Sequence, residues 1–294
     1  MKHFFMVICI ILGVSVMAEN LPPANIKLIA HRGESAVAPE NTMAAFRVAW
    51  EGKVAYGIEL DVHITKDDHI VCIHDENLTR VTQGACTDYV KDMTLAELKK
   101  CDVGKFKDPK YENERVPLLS EVFDELPEGG RIFLEVKVND VRFPKLLKEV
   151  LSKYPNIQQE QITIISFHGE ALFALRQNYP GFKQYLLGTV SKPKEAEMDI
   201  SKSRLEEIMR DVFLTPEEVI VKLKEYQCDG FDAGRLYNLT PEYVKKVKEA
   251  GYEFHVWTID DPTIAAMLLK NGVQSVTTNK PTEIYPIVLE KLKE

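Results

Sequence analysis

The sequence predicts an α/β protein, a (β/α)8 TIM barrel with an antiparallel hairpin extension after its second strand, and three observations carry that reading. Nine short apolar, β-rich runs alternate with amphipathic stretches of helical period. Two of those runs are separated only by Lys66-Asp67-Asp68. A parallel crossover needs a dozen or more residues, so these two form a hairpin and eight runs remain for a barrel. No glycine-rich phosphate turn follows the first run, which disfavours a doubly wound open sheet, the other architecture that such alternation allows. A chain of 294 residues suits one barrel.

The elements follow in order. The first run, 26–30, ends at His31-Arg32-Gly33, and Asn41 is placed to cap a helix over 42–51. The second and third runs, 57–65 and 69–74, make the hairpin. With Asp67-Asp68 as the turn centre, residues whose numbers sum to 135 face one another, which pairs Asp61 with His74. The fourth run, 131–138, precedes a helix over 144–153, and the fifth, 161–167, precedes one over 170–178. The sixth and seventh runs are 183–187 and 229–233, with a helix over 241–250 after the latter. The eighth, 253–258, leads into a helix over 262–270, and the ninth is 274–278. Segments 76–130 and 188–228 exceed what barrel connections require. The first holds a helical stretch over 94–100; the second, highly charged, reads as two helices. Both follow the C-terminal ends of strands, where barrel enzymes keep their substrate loops.

Ahead of the barrel, Lys2 and His3 precede an apolar stretch over 4–16, and Val16-Met17-Ala18 offers small residues for cleavage. The stretch is too short to span a bilayer, so 1–18 reads as a secretory signal and 19–294 as the mature chain. That expectation is of an exported protein, periplasmic or secreted, with a short N-terminal anchor as the alternative. Without Lys2 the chain holds 36 basic against 45 acidic residues, a net charge near −9. Such a surface argues against nucleic acid or a stable membrane association as partners, and obliges an anionic substrate to find local positive charge. Four cysteines remain: Cys72, Cys86, Cys101 and Cys228. Their spacing fits no zinc site. Cys72 lies in an apolar run and reads as a buried free thiol. Cys86 and Cys101 share one loop-rich segment, where a bridge and two free thiols are both open to an exported chain.

Side-chain alternation along 57–65 puts Glu59, Asp61 and His63 on one face. Two carboxylates two residues apart on an apolar strand repel each other and lose hydration unless paired, and a hard divalent cation is the simplest partner. A solvent-facing strand would explain them equally well in isolation. The hairpin shifts the balance by bringing His74, followed by Asp75, towards them. In "RIFLEVKV", Phe133, Glu135 and Lys137 share a face. Glu135 reads as a third metal ligand and Lys137 as a cation for an oxyanion, or the two form a structural ion pair. His31 and Arg32 would stand on the same rim. Acids for a metal, cations for an anionic oxygen and two imidazoles for proton transfer together suit phosphoryl chemistry. No Gly-x-Ser-x-Gly nucleophile motif is present.

These residues lie in stretches that resemble the glycerophosphodiester phosphodiesterase family: "HRG" with "PENT", then "ELDVHITKDDHIVCIHD", then "LEVK". The resemblance spans roughly residues 27–285. It implies a TIM-type barrel that hydrolyses glycerophosphodiesters, small-molecule substrates, to sn-glycerol 3-phosphate and an alcohol. By position it implies His31 and His74 as the acid/base pair and Glu59, Asp61 and Glu135 as ligands of a divalent ion, Mg²⁺ or Ca²⁺. It further implies Arg32 and Lys137 as phosphate contacts, with 75–117 as the family's insertion. "TIISFH" and "FHVWTID" match shorter family motifs and put Phe167 and Trp257 on the glycerol side, though core aromatics would look the same. His168 receives no role. Asn279, in "TTNKP", stands where the family commonly has aspartate; being outside the metal set, it is expected to affect only the local loop. Two other readings remain: a related barrel acting on lysophospholipid or inositol-phosphate head groups, and a non-catalytic phosphodiester-binding barrel. The polar insertion favours soluble deacylated diesters.

Overall fold

The computed structural model describes residues 26–188, 214–235, 237 and 239–294. The segment read as a signal, 1–18, and much of the charged segment 188–228 lie outside the described residues. All nine expected strands are present: β1 Leu28–Ala30, β2 Gly57–Ile64, β3 Ile70–Cys72, β4 Ile132–Val136, β5 Ile162–Ser166, β6 Lys183–Gly188, β7 Gly230–Gly234, β8 Glu253–Trp257 and β9 Ser275–Thr278. Between them run α1 Met43–Glu51, α2 Leu95–Leu98, α3 Leu119–Glu125, α4 Phe143–Leu151, α5 Gly169–Asn178, α6 Pro216–Glu225, α7 Pro241–Glu249, α8 Pro262–Lys270 and α9 Pro281–Lys293. Four of these helices, α6 to α9, open with proline, whose fixed φ suits a first turn and whose missing N–H costs nothing there.

Eight strands pair in parallel, and β1 bonds both β2 and β9, which closes the sheet into a (β/α)8 barrel and excludes the open doubly wound sheet. Alternation sorts the side chains of each strand. On β2, Ile58, Leu60, Val62 and Ile64 join Phe46 and Leu119 in the apolar layer between barrel and helices. Glu59, Asp61 and His63 take the opposite face, inside the barrel. A smaller inner cluster of Ile29, Phe133, Ile165, Tyr185 and Leu187 fills the barrel interior, and Glu135 follows Phe133 on that face.

The hairpin is real, but its register differs from the expected one. Val62 faces Cys72 and Ile64 faces Ile70, so the paired numbers sum to 134, and Asp61 meets the backbone of Ile73 instead of His74. The cause is the turn. Thr65 and His69 close it (N–H to O, 2.9 Å) around all three of Lys66, Asp67 and Asp68, with Asp68 in the left-handed region at φ 64. A turn centred between Asp67 and Asp68 would have needed a different pairing.

The first helix also begins one residue later than expected. Thr42 is the N-cap, its Oγ1 accepting from Ala45 N at 3.3 Å. Asn41 lies outside the helix at φ 54, which frees its amide for the site described below.

The hairpin carries the insertion. Val71 and Ile73 turn away from the barrel and seed a second apolar core with Leu78, Val81, Val90, Met93, Leu98 and Val103. Cys86 and Cys101 are bridged within it, so the pairing left open by the sequence is formed, and Cys72 and Cys228 are buried free thiols. Among the described residues no helix is long and apolar enough to cross a membrane.

Candidate active site

β1 ends at His31, and the chain then turns away through Arg32 (φ 56) and Gly33 (φ 80). A Cβ at position 33 would sit 2.6 Å from the Ala45 backbone, so only glycine fits this turn. The turn brings Arg32 against β2: its backbone N–H donates to Glu59 Oε2 (2.8 Å), and its Nε lies 3.3 Å from Asp61 Oδ2. Asn41 clamps Asp61 from the side, donating Nδ2–H to Oδ2 (2.7 Å) and accepting the Asp61 backbone N–H on Oδ1 (3.0 Å). Lys137 Nζ lies 2.9 Å from Asp61 Oδ1 and 2.6 Å from Glu135 Oε1, which realises the Glu–Lys ion pair and places it inside the site.

His74 reaches the same rim without cross-strand pairing. His63 Nε2 lies 3.2 Å from the His74 carbonyl, and His74 Nδ1 lies 2.6 Å from Asp75 Oδ1. Asp75 in turn accepts from Arg80 Nε (2.7 Å), and Arg80 donates to both oxygens of Glu40 at 2.8 Å. Glu40 also accepts from Arg32 Nη1 (2.8 Å). A continuous hydrogen-bonded chain thus ties His74 and the insertion to Arg32 and β2.

Ligand oxygens of Glu59, Asp61 and Glu135 all lie within 4.8 Å of one another, and all three residues are buried. Repulsion between two full charges at that separation is on the order of 3 kcal/mol at an effective dielectric near 20. The titration behaviour reflects it. Burial, with Asp61 and Glu135 nearby, pushes Glu59 well above the usual carboxylate range. Burial and the Asp61 charge push Glu135 up to about 8. Burial acts on Asp61 too, but Lys137, Arg32 and His74, with the Asn41 hydrogen bond, hold it well below its ordinary value. Glu59 Oε1 is buried with no hydrogen-bond partner among the described residues. Three crowded, oxygen-only donors with an orphaned lone pair fit a hard divalent cation.

Of the nine residues singled out in the sequence, eight line one cavity of about 350 Å³: His31, Arg32, Glu59, His74, Glu135, Lys137, Phe167 and Trp257. Asp61 stands behind them. Phe167 and Trp257 meet edge to face with centroids 5.7 Å apart, and Phe167 is 38% exposed at the mouth, unlike a core aromatic. His168 caps α5 and its Nε2 lies 3.2 Å from the Lys137 carbonyl, outside the cavity lining.

Several residues at the site had no role in the sequence reading. Asn41 had been placed as a helix cap. Asn279, expected to matter only to its loop, has its Oδ1 2.7 Å from His31 Nδ1. Glu40, Arg80 and Asp260 support the site residues from behind, and Asp232 and Thr277 line the cavity. The signal for Asn279 and Asn41 was their place in turns at strand ends; neither pattern says what the side chain will touch.

Fold and site together define a (β/α)8-barrel enzyme with two histidines and an acidic triad at the C-terminal mouth of the barrel. The chain belongs to the glycerophosphoryl diester phosphodiesterase family, whose model matches residues 31–283. It is 32% identical over 265 residues to a glycerophosphodiester phosphodiesterase of Caldanaerobacter subterraneus subsp. tengcongensis, covering 89% of this chain and 97% of that protein. It is 30% identical over 291 residues to a glycerophosphodiester phosphodiesterase of Bacillus subtilis, covering 93% and 88%. Among solved structures, an Oleispira antarctica phosphodiesterase in complex with the product sn-glycerol-3-phosphate superposes with a TM-score of 0.71 at 25% identity, covering 92% of this chain and 97% of that one.

Proposed function

We propose that the protein is a metal-dependent glycerophosphodiesterase that hydrolyses glycerophosphodiesters to sn-glycerol 3-phosphate and an alcohol, using two histidines for proton transfer. The observation that carries this reading is the convergence of His31, His74, Glu59 and Glu135 on one cavity with Arg32 and Lys137, Asp61 completing the triad behind them. The family membership and the product held by the Oleispira relative support it. Arg32 and Lys137 are drawn to Asp61 and Glu135, so added positive charge at the triad would free them for a phosphodiester anion. A divalent ion, Mg²⁺ or Ca²⁺, held by Glu59, Asp61 and Glu135 would supply that charge, acting as a Lewis acid for the phosphoryl oxygens.

The chain's own groups do the rest. Arg32 and Lys137 stand beside the triad as cations for the phosphoryl oxygens. His31, with Nδ1 committed to Asn279, has Nε2 for the proton of the attacking oxygen, from water or from the neighbouring glycerol hydroxyl. His74, backed by the Asp75 carboxylate, delivers a proton to the leaving alcohol. Phe167 and Trp257 give the carbon skeleton an apolar wall. Export belongs to the same reading, supported by the apolar N-terminal segment and by the Cys86–Cys101 bridge, which suits an oxidising compartment.

The test is a product assay on a panel of glycerophosphodiesters, with Mg²⁺ or Ca²⁺ restored after chelation. Release of sn-glycerol 3-phosphate that EDTA stops and metal restores is expected, and His31→Ala and His74→Ala should be folded and inactive. Turnover of acylated substrates alone would favour a lysophospholipase-type reading. Binding without product release would favour a non-catalytic barrel.

A further inference from the structure

β7 stands diametrically across the barrel from β2, with three strands between them on either side. Phe231 and Ala233 of β7 pack outwards into the helix-facing core. Asp232 therefore points into the barrel, where it lines the same cavity as His31 and Glu59 while only 3% exposed. Its Oδ1 has no hydrogen-bond partner among the described residues. The polar groups of the next strand are engaged elsewhere. His255 Nδ1 lies 2.6 Å from Ser275 Oγ and its Nε2 3.4 Å from Glu253 Oε2, and Trp257 Nε1 donates to the backbone carbonyl of Asp232, not to its carboxyl. On the other side, Tyr185 donates its hydroxyl to Glu253 (2.6 Å).

Without a cation beside it, the Asp232 carboxyl is pushed up to about 8 by burial. That shift favours the neutral acid, which offers one O–H donor and one free acceptor to the cavity. A buried group of that kind is costly unless something in the cavity completes its hydrogen bonds. An alcohol hydroxyl, which both donates and accepts, is the reciprocal partner.

The position says which hydroxyl. The phosphoryl group must lie at the triad, on the β2 and β4 side. His74 is on the open side of the site, its side chain 33% exposed, so the leaving alcohol departs towards solvent. The glycerol arm then runs inwards past Trp257 to the opposite wall. We propose that Asp232 binds the terminal hydroxyl of the substrate's glycerol arm and so determines specificity for glycerol-bearing diesters. The assignment rests on the diesterase reading above.

Its test compares kcat/KM on glycerophosphocholine and on the phosphocholine diester of propane-1,2-diol, which keeps the hydroxyl next to the phosphoester and lacks the terminal one. The wild type should prefer the glycerol diester by about 10- to 100-fold, the range for loss of one buried hydrogen-bond partner. Asp232→Leu, which removes the orphan group at similar volume, and Asp232→Ala, which adds no bulk, should level the two rates to within about 3-fold. Asp232→Asn keeps a donor and an acceptor and should keep the preference. An active wild type with no preference, or an unchanged preference in the leucine and alanine variants, would overturn the assignment alone. Loss of preference in the asparagine variant as complete as in the leucine one would overturn recognition by hydrogen bonding. A wild type inert on both diesters would overturn the diesterase reading and this assignment with it.

Discussion

His31 donates its Nδ1 proton to Asn279 Oδ1 at 2.7 Å, a bond between residues 248 positions apart. Its direction is imposed from behind. Asn279 Nδ2 donates to Asp260 Oδ2 (2.7 Å), and its backbone N–H donates to Asp260 Oδ1 (2.8 Å). Ser35 Oγ also donates to Asn279 Oδ1, at 3.0 Å. The amide carbonyl must therefore face the imidazole, which fixes the Nδ1–H tautomer and directs the Nε2 lone pair away from Asn279. That acceptor role suits an amide: an aspartate here would put a second negative charge against Asp260.

That geometry bears on the pH behaviour expected of His31 as the proposed base. Burial, and then the Arg32 charge, lower His31 to about 4. The acid limb of kcat/KM should therefore fall well below the ordinary imidazole range near 6.5. Asn279→Asp, by placing a charge beside Nδ1, should move that limb upwards. Superimposable pH–rate profiles for the two proteins would sink the idea. Stability follows with a definite sign. The unfolded chain binds more protons at this histidine between about pH 4 and 6.5, so its contribution is complete above that window and is lost as pH falls through it.

Metal binding should release protons. Burial and the neighbouring carboxylates hold Glu59 well above the usual carboxylate range and push Glu135 up to about 8, which favours protons on the metal-free triad. A divalent ion displaces them. Calorimetric titration with Mg²⁺ or Ca²⁺ in two buffers of different ionisation enthalpy should give different apparent heats. Identical heats would mean that the triad is already fully ionised, or that the metal binds elsewhere.

Asn41 should matter to the metal, not to the helix. Asn41→Gly keeps the left-handed backbone at φ 54 but removes both contacts to Asp61. Metal affinity should weaken by about 10- to 100-fold, as for loss of other groups that orient a ligand. Thermal unfolding of the metal-free protein should move by only a few degrees. Unchanged affinity would show that Asp61 needs no clamp.

The bridge in the insertion closes a loop of sequence separation 15, for which chain entropy gives about 3 kcal/mol. Reduction, or Cys86→Ser with Cys101→Ser, should lower the unfolding midpoint and speed proteolysis within 75–117. Activity should fall as well, because Arg80, which braces Asp75 behind His74, belongs to that segment. An unchanged midpoint would show that the second core alone holds the insertion.

The strands were legible because each barrel strand buries both faces and so reads as an apolar run; charged Glu59, Asp61 and Glu135 stood out against it. Local contacts were harder to read. The hairpin register depended on Asp68 adopting a left-handed conformation, and the role of Asn41 depended on Thr42 taking the cap. Asn279 and Arg80 act through partners far away in sequence, Arg80 reaching Glu40 across 40 positions. No periodicity encodes such pairs. His74 was correctly placed at the rim from an incorrect register, because His63 and Asp75 hold it there independently of the ladder.

β1 is held between β2 and the final strand, Leu28 opposite Val276 and Ile29 opposite both Gly57 and Thr277. During synthesis, His31 emerges early but gains its orienting partner only after β9 and the residue that follows it, Asn279, have docked. A nascent or C-terminally nicked chain would hold every acid of the triad and both imidazoles, yet leave the His31 ring free to reorient and its proton free to sit on either nitrogen. With His31 as the proposed base, hydrolytic competence would arrive as the closing event of folding, and activity would double as a report that the ring is complete.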